Sequence, residues 1–498
     1  MKYVLGIDLG TSSVKVLLMN ANGVIVDAHT EEYPIRHEKP GYSEQNPVDW
    51  VEKTIVAIKI IVSRFTEDVS NIVGISYSGQ MHGLVILDEQ HQVLRPAILW
   101  NDTRTTSQCQ RITKVMGEHE LLCITKNRAL EGFTLPKLLW VQEHEPSIYE
   151  QIQVFLLPKD YVRLAMTGQC HIDYSDAAGT LMMDIDKKVW STEIAERLNI
   201  NLAIYPPLVS SLQRVGTLLK PFAEATGLSE RTQVFAGGAD NACGAIGSGI
   251  IKDGKTMVSI GTSGVLLTYE AHSNKNFNGK VHYFNHAIED AFYSMAVTLS
   301  AGHSLSWYKN QFMEEESFDS IMGKIRSIPP GSHGVLFAPY LVGERTPYAD
   351  AKIRGSFIGI DAAHTKYHFF HAVMEGIIFS LRDSLEIFKA NGQQITEIYA
   401  IGGGAKNDYW LQMQADIFNA DIFQLRNEQG PGVGACLIAA VGKNIFPSFE
   451  KAVSKVIQVE KTFKPDKKRV EQYNKLYKLY NQLYGATCSL SEQLNDYH

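Results

Sequence analysis

Two aspartates and a repeated turn carry the chemistry this sequence could do. Asp8 ends the apolar run Val4–Ile7 and stands four residues before Ser12, in Gly6-Ile-Asp-Leu-Gly-Thr-Ser-Ser-Val-Lys15. A carboxylate at a strand end beside such a turn can hold Mg²⁺ against a triphosphate, directly or through water. Capping its own turn is the bland alternative. The turn Gly10-Thr11-Ser12 recurs about 250 residues later as Gly261-Thr262-Ser263, again between two aliphatic and β-branched runs. Glycine lets backbone approach an anion, while successive N–H groups and hydroxyls point at it. Two copies point to a duplicated domain closing on a phosphorylated ligand from both sides. The second copy lacks the carboxylate, so it is expected only to cradle phosphate.

Asp240 lies in Ala236-Gly-Gly-Ala-Asp-Asn-Ala-Cys-Gly244, where a strand turns sharply into a small-residue segment. It could be a bare helix N-cap. The glycines equally leave room for a substrate hydroxyl, whose proton this carboxylate could accept as it attacks a γ-phosphate. The residues alone leave both readings open. Gly79-Gln-Met-His-Gly83, after another apolar run, suits a hydroxylated ligand, with His82 a candidate donor. In Trp100-Asn-Asp-Thr-Arg104, an Asp–Arg pair that fixes a loop is the better reading. Gly402-Gly-Gly-Ala-Lys-Asn407 could let a flat base lie on bare backbone.

The elements that position these residues alternate strand and helix, which predicts α/β layering. Asn71–Ser78 and Glu397–Gly402 read as buried strands. Asp49–Phe65 and His368–Lys389 have helical periodicity, and Lys467 to Leu494 reads as one polar helix with a stripe at Tyr473, Leu476, Leu479, Tyr480 and Leu483. A boundary is expected at Gly247–Gly254, dividing the chain into 1–249 and 250–498 with a ligand cleft between. Gly249-x-x-x-x-Gly254-Lys255-Thr256 matches a P-loop letter for letter, but a helical stretch precedes it and a strand follows. That context is inverted, so the match is a decoy.

Composition sets the outer bounds. A chain of 498 residues needs two or three cores. A net charge of −7 argues against nucleic acid or an anionic membrane as main partner. The six cysteines are scattered, which predicts neither disulfides nor zinc and fits a reducing cytoplasm. No apolar run approaches the ~20 residues that span a bilayer.

Together these motifs resemble the FGGY carbohydrate kinases. Gly132-x-Thr134-x-x-Lys137-Leu-x-Trp140-Val-x-Glu143-His144 is similar to that family's first signature. Gly355-x-Phe357-x-Gly359-Ile360 with His368-Phe-x-x-Ala372-Val-Met-Glu375 is similar to the second. The resemblance covers almost the whole chain. It implies two actin-like ATPase (ribonuclease H-like) domains around a central cleft, sugar on residues 1–249 and nucleotide on 250–498. Leu156-Leu-Pro-Lys-Asp-Tyr161 and Ser175-Asp-Ala-Ala-Gly179, with Gly-Gln-Met-His-Gly, resemble the xylulokinase branch, which implies ATP- and Mg²⁺-dependent phosphorylation of a ketopentose. Ribulose, gluconate, fuculose or glycerol remain alternative acceptors.

The resemblance also assigns roles. Asp240 is the implied general base and Asp8 the implied Mg²⁺ residue. Met81, His82, Asp240 and Asn241 are implied to line the sugar. Gly10, Thr11, Ser12, Gly261, Thr262, Gly302, Leu305, Ser306, Gly404, Ala405 and Asn407 are implied for the nucleotide. It allows a homodimer through the C-terminal half. An actin-like ATPase switch with no sugar substrate is the alternative of a different class; such proteins lack the Gly-Gln-Met-His-Gly and Ala-Gly-Gly-Ala-Asp-Asn segments.

Overall fold

Short β-branched runs separated by glycine turns build two mixed sheets in a computed structural model that describes residues 1–426 and 430–497. The first sheet contains β1 (Tyr3–Leu9), β2 (Ser13–Asn20), β3 (Ile25–Glu32), β4 (Ile72–Gly79), β5 (Arg214–Thr217) and β6 (Gln233–Phe235). Their spatial order is β5-β6-β4-β1-β2-β3, and a short β7 (Gly238–Ala239) extends along the end of β4. The second sheet contains β8 (Lys255–Ile260), β9 (Gly264–Glu270), β10 (His282–Asn285), β11 (Phe292–Thr298), β12 (Glu397–Gly402), β13 (Asp421–Leu425) and β14 (Val459–Phe463). Its order is β10-β11-β9-β8-β12-β13-β14.

The two sheets repeat one topology. β1 pairs antiparallel with β2 and parallel with β4; β8 pairs antiparallel with β9 and parallel with β12. The echoed turns are therefore the two central hairpins. Asp8 stands opposite Lys15 and Ser78, and in the second sheet Ser259 holds the matching place, opposite Val265 and Ile401. The strand Lys255–Ile260 follows the Gly249–Thr256 string and the helix Asp240–Gly247 precedes it, the inverted order expected of a decoy.

β1 is apolar on both faces because helices cover both. On one side lies α1 (Pro47–Arg64), with Pro47 at its start, Asn46 as its cap, and Trp50, Ala57, Ile58 and Ile61 buried on one stripe. The other helices that matter for the site are α2 (Asp240–Gly247), α3 (Gly302–Phe312), α4 (Lys366–Ala390), α5 (Asp408–Phe418) and α6 (Pro431–Gly442). α6 lies late in the chain, yet it packs on β1 and β4 of the first sheet and crosses α2.

That crossing is made by glycine. A Cβ on Gly434 would lie 1.9 Å from the Cys243 carbonyl oxygen, and one on Gly247 would lie 2.4 Å from that of Gly430. Gly6 of β1 meets the Gly432 carbonyl at the same 2.4 Å. Helix, helix and strand thus touch backbone to backbone.

The strand expected at Asn71–Ser78 is β4, that at Glu397–Gly402 is β12, and the helices expected at Asp49–Phe65 and His368–Lys389 are α1 and α4, with ends shifted by one or two residues. The single C-terminal helix is a correction. Lys467–Tyr480 and Leu483–Leu494 are separate helices broken at Asn481-Gln482, and Leu479, at 53% exposure, faces away from the core. Tyr473, Tyr480 and Leu483 are buried as the stripe requires. Among the described residues no helix is long and apolar enough to cross a membrane.

Gly434→Ala should lower stability by ~1–3 kcal/mol, because the added methyl meets rigid backbone. The expected reading is a lower thermal midpoint. Gly485→Ala is the control: nothing lies within 4 Å of its added Cβ, so it should leave the midpoint unchanged or raise it.

Candidate functional site

Asp240 is the first residue of α2, whose N-cap is Ala239 with no side-chain capping bond. The bare-cap reading of Asp240 therefore fails. Its Oδ1 accepts from the Asn241 backbone N–H at 2.6 Å and from Asn241 Nδ2 at 2.8 Å. Burial, and then the neighbouring Asp8 carboxylate, push Asp240 up to about 7, against the pull of Asn241. Burial raises Asp8 to about 6, with Ser78 and Lys15 drawing it back. Two carboxylates, at the ends of β1 and β7, thus share one region, and the charge of Asp8 weakens the acidity of Asp240.

A cavity of about 210 Å³ opens beside them, between the two halves. Met81, His82, Asp240 and Asn241, the four residues expected at the sugar, all line it. Asn241 Nδ2 also lies 3.6 Å from Met81 Sδ. Ser263, Val265, His282, Met295 and Arg345 close it from the second half. Ser263 belongs to the second turn; the others were missed because they are distant in sequence and belong to no motif. Trp100 lines it too, and its Nε1 donates to Thr11 Oγ1 at 2.9 Å. Further along that segment the bland reading holds: Arg104 forks onto Asp102, which also accepts from the Ser43 N–H at 2.6 Å.

His82 has a positive φ of 70°, and its Nδ1 lies 2.5 Å from the Gly179 carbonyl oxygen. Burial lowers it to about 3, helped by Lys137 and Arg345 and opposed by the Gly179 bond, so the ring is neutral. A carbonyl only accepts, so Nδ1 carries the proton and Nε2 is an acceptor. The expected donor role of His82 is thereby reversed. Gly179 has no room for a side chain: its Cβ would lie 2.8 Å from Met81 Cε. Lys137, of the first signature, is fully buried and holds the Glu131, Gly132 and Phe133 carbonyls at 3.1, 2.5 and 2.8 Å, fixing one wall of the cavity.

A buried ionic cluster braces α2 from behind. Lys159 contacts Asp160, Asp173 and Asp176 at 2.7, 2.7 and 3.0 Å, and Arg163 contacts Asp160. Asp173 accepts from Ser175 Oγ at 2.5 Å, and Ser175 Oγ accepts from the Ala239 N–H at 3.0 Å. Arg163 holds the Ala236 carbonyl at 2.7 Å. Burial raises Asp176 well above the usual carboxylate range, against the pull of Lys159. The backbone just ahead of Asp240 is fixed by this cluster.

A second cavity, of about 530 Å³, lies in the C-terminal half. Gly261, Thr262, Gly302, Leu305, Ser306, Gly404 and Asn407 line it. Ala405 is buried behind the wall, with its carbonyl accepting from Gln424 Nε2 at 2.7 Å. Phe318, Met322 and Trp410 supply apolar surface that no motif signalled. The second turn is welded to α3: the Gly302 and His303 N–H groups donate to the Gly261 and Thr262 carbonyls at 2.8 and 3.1 Å. The first turn is held from outside, by Tyr33 on the Gly10 carbonyl and Gln45 on that of Thr11. Gly10, Thr11, Ser12 and Asp8 line neither cavity. In both turns the two N–H groups after the glycine make no hydrogen bond among the described residues.

Imidazole ¹⁵N spectra should show the His82 Nδ1–H form unchanged from about pH 5 to 8. Titration near the free value of about 6.5 would overturn the tautomer.

Comparison with known proteins agrees with this geometry. The N-terminal domain of the FGGY family of carbohydrate kinases matches residues 3–247, and its C-terminal domain matches residues 256–442. The chain is 55% identical to the xylulose kinase of Bacillus subtilis (strain 168), over 100% of this chain and 99% of that one. It is 48% identical to the xylulose kinase of Lactococcus lactis subsp. lactis, over 100% and 99%. A crystal structure of a xyloylose kinase from Brucella ovis superposes with a TM-score of 0.92 at 36% identity, covering 98% of this chain and 100% of that one. The doubled sheet topology is the actin-like fold of these kinases. Two phosphate-sized turns, a carboxylate pair and full-length relatives lead to one conclusion: this chain belongs to the FGGY family of carbohydrate kinases.

Proposed function

We propose that this kinase transfers the γ-phosphoryl group of ATP to the C5 hydroxyl of D-xylulose. The observation that carries this reading is one cavity in which Asp240, Asn241, Met81 and His82 meet beside two unpaired N–H turns. The names of the full-length relatives support the choice of sugar. Residues 1–249 then supply the base and most sugar contacts, and 250–498 the nucleotide slot.

The hydroxyl of the sugar lies against Asp240, whose Oδ1 is held by Asn241 so that Oδ2 receives the proton. The hydroxyl oxygen forms a bond to the γ-phosphorus as the bond from that phosphorus to the bridging oxygen breaks. The leaving ADP keeps that electron pair. The N–H groups of Thr11 and Ser12 on one side, and of Thr262 and Ser263 on the other, bind phosphate oxygens. Gly404, Leu305 and Met322 line the second cavity and would pack against adenine. His82 accepts from a sugar hydroxyl through Nε2. Approach of the two halves excludes water and limits loss of ATP to hydrolysis.

The Asp8 and Asp240 carboxylates suit Mg²⁺. They are hard oxygen donors, both raised in pKa by burial and Asp240 also by the charge of Asp8, and a divalent cation would relieve that repulsion. When bound, Mg²⁺ neutralises phosphate charge.

Asp240→Asn should lower kcat ~10²-fold or more while the protein stays folded, since shape is kept and the base is lost. Near-normal turnover would sink the assignment. In the wild type, kcat/KM should fall as pH drops through about 7, where Asp240 takes up its proton. Removing the like charge in Asp8→Asn should move that limb to lower pH in the residual activity. A sugar panel followed by ADP release tests the acceptor: a preference of about tenfold or more for another polyol, ~1.4 kcal/mol, would replace xylulose.

A further inference from the structure

Arg345 is the one permanent cation among the described residues lining the sugar cavity. Its backbone is fixed to rigid elements. Glu344 Oε1 accepts from the Arg345 N–H at 2.8 Å and from the Leu299 N–H at 3.0 Å, while Oε2 accepts from Ser380 of α4 at 3.2 Å. On the other side, the Thr346 N–H donates to the Val297 carbonyl at 3.0 Å, and Thr346 Oγ1 accepts from the Val297 N–H at 3.2 Å. All this anchoring engages main chain. The guanidinium itself makes no hydrogen bond or ion pair among the described residues. Its guanidinium therefore lines a small cavity with no protein acceptor and is left to a ligand or to water.

Arg345 opposes protonation of His82 and His282, so it lies near the two imidazoles. The charges that act on it are those of Glu131 and Glu344. The base and the guanidinium line the same cavity, Asp240 from the first half and Arg345 from the second.

The chemistry of the acceptor gives the guanidinium a task. A ketopentose closes its five-membered ring by adding the C5 oxygen to C2. Phosphorylation at C5 therefore requires the open chain, which presents a free C2 ketone. With C5 at Asp240, the ketone and the C1 hydroxyl reach away from the base toward other groups that line the cavity, of which Arg345 is the cationic donor. A ketone oxygen accepts through two in-plane lone pairs and has no hydrogen to turn aside, which matches a donor-only planar fork.

We propose that Arg345 recognises the C1–C2 end of the open-chain ketose by donating to the carbonyl oxygen, and so sets the preference for a ketose over a sugar alcohol. This rests on the reading that Asp240 receives the C5 hydroxyl proton. Because Arg345 comes from the second half and Asp240 from the first, the sugar ties the two halves together.

The test compares D-xylulose with D-arabinitol, its C2-reduced form, in wild type, Arg345→Gln and Arg345→Lys. In Arg345→Gln, kcat/KM for xylulose should fall about 10- to 100-fold, mostly through KM. The arabinitol value should change less than about threefold, so the ratio between the two collapses. KM for ATP and the thermal midpoint should stay unchanged. Arg345→Lys keeps charge and donors without the fork and should give an intermediate ratio; it is the variant read if Arg345→Gln does not fold. An equal loss on both acceptors, or no loss on either, overturns the role of Arg345. A wild type inactive on xylulose removes the substrate reading and this assignment with it, a failure distinct from that of the variants.

Discussion

The structure depends on a contact that contains almost no side chain. α2 and α6 cross where Gly247, Gly430 and Gly434 let two helix backbones meet, and Gly432 presses on Gly6 of β1. Asp240 begins α2 and Asp8 ends β1, so this crossing sets the distance between the two carboxylates. A methyl on Gly6, Gly247 or Gly434 meets backbone carbonyl oxygen, whereas one on Gly432 meets the Leu17 side chain. At those three positions the usual tolerance of a core to repacking is therefore absent. The buried cluster around Lys159 completes the constraint by holding the chain from Ala236 to Ala239.

On that frame the duplicated halves have diverged in charge. The first hairpin ends in Asp8; the second has Ser259 in the same register. The first turn is braced by long side chains from outside, the second by the start of α3. One half thus concentrates negative charge, and the other offers a neutral turn and an apolar slot. An acidic protein can accommodate a polyanion in this way, by placing N–H groups where its overall field is unfavourable.

Local signals made much of this legible in sequence. The strands and the long helix α4 follow from periodicity, and the decoy phosphate motif is unmasked by the order of its neighbours. Met81, His82, Asp240 and Asn241 converge as the motifs suggested. The residues that escaped are those brought in from elsewhere: Trp100, His282 and Arg345 in one cavity, Phe318, Met322 and Trp410 in the other. No spacing rule relates them to Asp240, because only sheet pairing over long sequence distances brings them close. The proton direction of His82 was also hidden, since it is set by the carbonyl of Gly179, 97 residues away. The break at Asn481-Gln482 lacks both glycine and proline, so no local residue announced it.

The late position of α6 has a consequence for how the molecule is made. Strands β1 and β2 leave the ribosome early, yet the helix that covers one of their faces comes some 420 residues afterwards. Until then Val4, Leu17 and Met19, which share the face of Gly6 and are buried in the finished protein, have no permanent cover on that side. The first half is therefore not a self-sufficient folding unit. Its sheet waits, exposed and in need of protection from aggregation, for nearly the whole chain to be synthesised.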